Sequence, residues 1–252
     1  MGYTVIRAGD RSLTSTAWLT SYHCFSFGDH YDPANTHHGA LIASNEEYLP
    51  PKCGFETHHH QESEIVTWVS SGSLVHRDSA GNSGVVPPGL AQRMSAGSGV
   101  DHSERNEPWP DLPGSGTTRT HYVQMWVMPD RHGLAPSYAQ RDISTELATG
   151  ELVPVASGNP DHAAAIAIAN AGATLYAARP ASGRTLTLPG ARFTHLFVVN
   201  GSVQLESVQL DGPGELSAGD AARGTDVGDV RLVARTDAEI LYWAMDSALG
   251  EF

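Results

Sequence analysis

His58 and His60 stand two residues apart, and so do His102 and Glu104. In an extended strand an i, i+2 spacing turns both side chains to one face. Two such strands side by side can aim three imidazoles and one carboxylate at a single point, which is the outline of a mononuclear metal site. Imidazole nitrogen suits iron, copper, nickel and zinc. Three neutral histidines and a carboxylate, with coordination positions left open, suit a redox-active or Lewis-acidic catalytic ion better than a closed structural one. The chain holds 13 histidines, so spacing alone also admits a solvated loop at 58–60.

The surrounding text narrows the choice. Residues 55–68 read FETHHHQESEIVTW, 74–84 read LVHRDSAGNSG, and 85–104 read VVPPGLAQRMSAGSGVDHSE. These segments closely resemble the metal-binding half of the pirin family, which belongs to the cupin superfamily and includes bacterial quercetin 2,3-dioxygenase-like members. SYHCFSFGDHYDP at 21–33, YVQMWVMP at 122–129 and PSYAQ at 136–140 extend the resemblance, densely over about the first 140 residues and loosely beyond.

The resemblance implies four metal ligands, His58, His60, His102 and Glu104, and all four residue types are intact. It departs from the family at His59, where proline is common, and at Gln61-Glu62-Ser63, where a trio such as Arg-Gly-Phe is common. Strand geometry turns His59 away from its neighbours. The broader cupin pattern offers Glu64 as a rival carboxylate ligand and a histidine where this chain has Gln92. The resemblance further implies an all-β bicupin, two antiparallel jelly-roll barrels, with one transition-metal ion in the first and none in the second. Iron(II) is the expected metal, with Zn, Ni, Mn, Co and Cu as alternatives.

The elements that must carry these residues read as strands. With 26 glycines and 15 prolines in 252 residues, the chain has the turn content that many short strands need. Residues 121–128 alternate between two occupied faces, and further strands are predicted at 65–69, 186–188, 196–199, 203–205, 230–234 and 240–244. Asn200-Gly201 is a hairpin signal between two of them. The Ala-rich stretch 162–173 is read as a strand because Ile166 and Ile168 lie two apart. The Pro, Gly and polar residues of 132–151 mark a boundary between the halves, which predicts domains at 1–135 and 136–252. Gly97 and Gly99 let the chain bend just before His102.

Several residues carry narrower expectations. His121 shares a face with Val123 and Met125, and two roles are open to it: lining the barrel near the ion, or simple packing. His76, Arg77 and Asp78 resemble a framework motif of the family. The second half has only His162 and His195, and His195 reads as a satisfied interior residue. Cys24 and Cys53 have no metal or redox spacing and read as free thiols.

A net charge of −13 with scattered Lys and Arg argues against direct nucleic-acid binding. No apolar run reaches the roughly 18 residues of a membrane span, and the expected location is the cytoplasm. Two functions fit. The first is a metal-dependent dioxygenase that uses O2 to cleave a flavonol or similar enol-type aromatic, with Glu104 as ligand and proton acceptor and Glu64 as the substitute. The second is a regulator that senses its metal and acts through a protein partner. An open, apolar-lined pocket of some hundreds of Å³ favours the first.

Overall fold

The computed structural model describes residues 2–206, 208–211 and 214–251. They form two antiparallel barrels, each made of a large sheet and a four-stranded sheet. In the first barrel the seven-stranded sheet runs Ser137–Asp142, Leu90–Ser95, Glu64–Ser71, Thr120–Val127, Leu41–Leu49, Thr20–His23, Ser12–Ser15. Opposite it lies a sheet of Gly54–His60, Val100–Arg105, Leu74–Asp78 and Ser83–Val86. The second barrel pairs an eight-stranded sheet, centred on Ala173–Ala178, Glu239–Met245, Ala191–Asn200 and Ala221–Val227, with a smaller one carrying Val230–Ala234 and Ser202–Glu206.

Thr120–Val127 shows why the two barrels hold together. Nearly all of its residues are buried, so both faces of the strand are covered. Val123 and Met125 join Val66 and Trp68 in the largest apolar cluster, together with Leu175, Phe197, Leu241 and Trp243 of the second barrel. Trp243 Nε1 donates to Met125 Sδ at 3.2 Å across this seam. The opposite face looks into the first barrel. There a row of buried polar residues, His23, Asn45, Gln124, Thr67 and Gln92, crosses the sheet in register. Apolar groups close the barrel on either side, Leu49, Val69, Leu74 and Tyr122 in one cluster and Ile65, Met94 and Val100 in another.

Two expectations change. In 162–173 the strand residues are Ile166–Ala167, paired in parallel with Val153–Ser157, and Ala173, where Ala173–Ala178 begins. Asn170 ends the extended run, because its side chain donates to the Met128 carbonyl at 2.7 Å and accepts from the Gly172 amide at 3.1 Å. Asn200-Gly201 is not a hairpin, since Ala191–Asn200 and Ser202–Glu206 pair in different sheets. Gly201 has φ +75°, and a Cβ there would lie 2.1 Å from the Asp237 carbonyl oxygen; the positive φ makes a corner between sheets. The segment 132–151 contains strand Ser137–Asp142, hydrogen-bonded to Leu90–Ser95 of the first barrel, and the one-turn helix Ser144–Leu147. In the reverse direction Gly2–Ile6 pairs with Ala221–Val227 of the second barrel. No helix among the described residues is long and apolar enough to cross a membrane.

Candidate metal centre

Strands Gly54–His60 and Val100–Arg105 lie antiparallel, with His102 opposite His58 and Val100 opposite His60. The register slips between His102 and Glu104, so that Glu104 faces Phe55. Glu56 and Thr57 both point to solvent at this bulge. The extra residue keeps Phe55 on the inner face with His58 although they are three apart. Along Val100–Arg105 the alternation is regular, and Val100, His102 and Glu104 are the buried members.

The three histidine rings converge, with centroids 4.4 Å apart for His58–His102, 4.8 Å for His58–His60 and 4.9 Å for His60–His102. One nitrogen from each lies within 4.8 Å of the others. A second group, His76, His102 and Glu104, meets the same limit, so the two triads share His102. His58 Nδ1 is 2.8 Å from the Glu56 carbonyl. A carbonyl only accepts, so Nδ1 carries the proton and Nε2 keeps its lone pair for a metal. Nε2 of His60 and of His102 are buried without a hydrogen-bond partner, as expected of atoms whose partner is an ion. Burial, then the neighbouring imidazoles, lowers the pKa of His60 to about 4 and of His102 to about 3. Both are therefore neutral at pH 7, the form that binds metal. Three imidazoles and a carboxylate with these unpartnered atoms fit a transition metal.

Glu104 is oriented from the opposite sheet. Gln124 Nε2 donates to both of its oxygens, at 3.0 and 2.8 Å. Trp126 Nε1 donates to Gln124 Oε1 at 2.9 Å, which fixes the amide with its NH2 toward the carboxylate. The same indole meets the His60 ring edge-on at 4.8 Å.

His76, expected to be framework, stands inside the cluster. Its Nε2 lies 3.2 Å from Asp78 Oδ2 and its Nδ1 lies 3.4 Å from His102 Nδ1. A carboxylate–histidine chain of this kind orients a ligand imidazole. Sequence reading left His76 in the framework because His102 and Glu104 lie 26 and 28 residues away, and only the pairing of Val100–Arg105 with Leu74–Asp78 brings Glu104 opposite it.

Glu64 lies elsewhere. It is buried, accepts from Ser95 Oγ at 2.7 Å, and shares the sheet face of Val66 and Trp68 that meets the second barrel. Gln92 does take its place on the inner face. Of the two roles open to His121 the structure shows packing, on the outer face: it bonds Glu46 Oε1 at 2.8 Å and stacks on Tyr48 at 4.3 Å. Its odd-numbered neighbours Val123 and Met125 face the seam, and Gln124 faces Glu104. His195 is interior but not satisfied, since both ring nitrogens lack a partner; burial holds its pKa well below the usual value. His162 is exposed, and its Nδ1 lies 3.1 Å from Thr174 Oγ1. Both thiols are free.

Beside His58 opens a cavity of about 550 Å³, lined by Trp18, Cys53, Phe55, His58 and Arg105 among others. Trp18 and Phe55 pack edge to face at 5.2 Å within it.

A family model described as Pirin matches residues 6–127, and one described as the quercetinase C-terminal cupin domain matches 155–245. A Mycobacterium tuberculosis protein, provisionally named a quercetin 2,3-dioxygenase, is 51% identical over 245 residues, 97% of this chain and 96% of that one. The chain belongs to the pirin family. A Caulobacter vibrioides pirin-like protein is 35% identical over 227 residues, 89% of this chain and 91% of its own. Among solved structures the Escherichia coli pirin YhhW superposes with a TM-score of 0.86 at 30% identity, covering 98% of each chain. Its complex with nickel(II) superposes with a TM-score of 0.84 at 28% identity, covering 98% of this chain and 100% of that one.

Proposed function

We propose that this pirin is a dioxygenase that binds one transition-metal ion through His58, His60, His102 and Glu104 and cleaves a flavonol or similar enol-type aromatic with O2. The observation that carries the reading is the convergence of neutral, unpartnered imidazole nitrogens beside an oriented carboxylate and an open, aromatic-lined cavity. A relative named quercetin 2,3-dioxygenase in Escherichia coli, 42% identical over 135 residues covering 54% of this chain, supports the substrate class. A bound iron(II) would supply Lewis acidity toward a ligated hydroxyl and a template for bringing substrate and O2 together. The rest is work for the protein. Glu104 accepts the hydroxyl proton on whichever oxygen Gln124 leaves less occupied. Gln124 keeps that carboxylate aimed, and Trp126 keeps Gln124 from flipping. Trp18 and Phe55 give a planar ring a surface to pack against. His76, backed by Asp78, steadies His102.

The site is tested by anaerobic purification, elemental analysis and O2 uptake over a flavonol series. One ion per chain is expected. His58→Ala and His102→Ala lose it, whereas His162→Ala and His195→Ala, in the second barrel, keep it. Two ions per chain would sink the one-site reading. A fully iron-loaded protein that consumes no O2 with any flavonol would leave the metal-sensing regulator as the better account.

A further inference from the structure

The loop 24–38, which joins Thr20–His23 to Leu41–Leu49, is anchored from outside its own barrel. Arg223, on strand Ala221–Val227 of the second barrel, donates from Nη2 to the Cys24 carbonyl at 2.6 Å and from Nη1 to Asn35 Oδ1 at 2.7 Å. Its guanidinium lies 3.8 Å over the Phe25 ring centre. Asn35 donates to the same Cys24 carbonyl at 3.2 Å, and its own carbonyl accepts from the Ser26 amide at 2.8 Å. One guanidinium therefore closes the neck of the loop in the planar, two-pronged manner that lysine cannot reproduce. At the loop's exit, His38 Nε2 donates to the carbonyl of Gly224, the next residue of that strand, at 3.0 Å.

Between the two clamps the loop carries Phe27. Its ring stacks on His23 at 5.0 Å and meets the Trp126 indole edge-on at 5.2 Å. Trp126 in turn meets His60 at 4.8 Å and bonds Gln124. A continuous aromatic path thus runs from the loop to the candidate ligands. Arg11 of the first barrel also lies beside Cys24 but bonds Glu46 at 2.6 Å; the two-pronged bond to the neck comes from the second barrel.

We propose that Arg223 is a positioning residue for the metal site, holding loop 24–38 so that Phe27 backs Trp126 against His60 and completes an aromatic wall for a planar ligand of the metal. This rests on the dioxygenase reading for the ligand's class, and not for the wall itself. The second barrel, on this account, acts on a reaction site to which it contributes no ligand.

The test uses the full chain loaded with nickel(II) and kept anaerobic, so that binding is read without turnover. Quercetin affinity is followed by the change in its absorption, and the metal's accessibility by the rate at which EDTA strips it. Arg223→Gln and Phe27→Leu should keep one nickel per chain and weaken quercetin by about threefold to tenfold, the value of one aromatic contact. Arg223→Lys should recover only part of the loss. The double variant should bind no worse than Phe27→Leu alone, because both changes remove the same wall. EDTA should strip nickel faster from Arg223→Gln than from the parent. Unchanged quercetin affinity in Arg223→Gln, or losses that multiply in the double variant, overturns the proposal. If the parent with full nickel does not bind quercetin, the dioxygenase reading fails, and the stripping rates decide alone: faster supports the wall, equal overturns it. Should Arg223→Gln not fold, Asn35→Ala removes the loop's half of the clamp and is judged by the same two measurements.

Discussion

Glu104 and Glu47 are two buried carboxylates with different demands on their surroundings. Glu104 has an amide donor on both oxygens. Glu104→Gln would face one amide NH2 with another, so Gln124 must turn and break its bond to Trp126, or the new side chain must turn away. Turnover should fall by roughly 100-fold to 10,000-fold, the usual worth of a general base. Glu64→Gln, on the outer face of the sheet, should change it far less. The reverse ranking in steady-state O2 uptake would move the base to Glu64. Glu47 accepts from Ser21 Oγ at 3.0 Å and lies beside the Tyr122 hydroxyl. Burial, reinforced by the nearby Glu104 charge, raises its pKa to about 7. A raised carboxyl pKa means that the folded state holds the proton more tightly than the unfolded one. Its stabilising effect is complete below about 4.5 and is lost as pH rises through 7. For the metal-free protein the loss between those limits is at most about 3 kcal/mol. Glu47→Gln should therefore raise the denaturation midpoint at pH 8 and leave it nearly unchanged at pH 5. An equal gain at both pH values would show that Glu47 is ionised throughout.

Among the elements, the bulge in Gly54–His60 decides whether the ligands meet. Without it, Phe55 would turn outward and Glu104 would lose its present partner across the ladder. Gly54 lets the two strands come close enough: a Cβ there would sit 2.2 Å from the Glu104 carbonyl oxygen and 2.5 Å from Arg105 Cα. Both are backbone atoms and cannot swing aside. Gly54→Ala should cost about 1 to 3 kcal/mol, as overpacking does, and should weaken metal binding, because the strand it pushes carries Glu104. Denaturant midpoints and a metal titration check the two effects separately. A variant with parent stability and parent metal affinity would show that the strands close without this glycine. The bend at 96–99 is a second such device. Gly97 and Gly99 have φ +48° and +131°, and a Cβ on Gly99 would meet the His59 ring at 2.9 Å.

The whole molecule is bound by exchange. The first barrel takes its edge strand Ser137–Asp142 from beyond the expected boundary, and the second takes Gly2–Ile6 from the extreme N-terminal side. Glu239 of the second barrel accepts from Trp68 Nε1 at 3.1 Å and Ser70 Oγ at 2.8 Å in the first, and from Arg179 Nε at 2.8 Å. With the apolar seam continuous between the large sheets, neither barrel can unfold without exposing the other. Calorimetry should show one transition whose van't Hoff and calorimetric enthalpies agree. Two resolved transitions would show independent barrels. A chain ending at residue 135 would leave Leu90–Ser95 as an open edge and Gly2–Ile6 without its partner, and it should aggregate.

Residue types and spacing already pointed to the strand-rich class, to two i, i+2 pairs able to face one point and to the bend before His102, while the choice of those four residues as candidate ligands came from the family resemblance. The first three follow from period-2 alternation and from glycines, which are local properties of a strand. Which face each buried polar residue occupies was not local. His121 and Gln124 sit on one strand, yet only the packing of a second barrel against the first made the face of His121 a seam and left that of Gln124 to the candidate ligands. His76 joined the cluster through a strand pairing that no short spacing encodes. Asn200-Gly201 kept its positive φ but became a corner, because the strands it links found their hydrogen-bond partners in different sheets. Arg223 came to clamp a loop some 190 residues earlier in the chain. Long-range pairing and the contact of two barrels set these arrangements, and both arise only when the whole chain closes on itself.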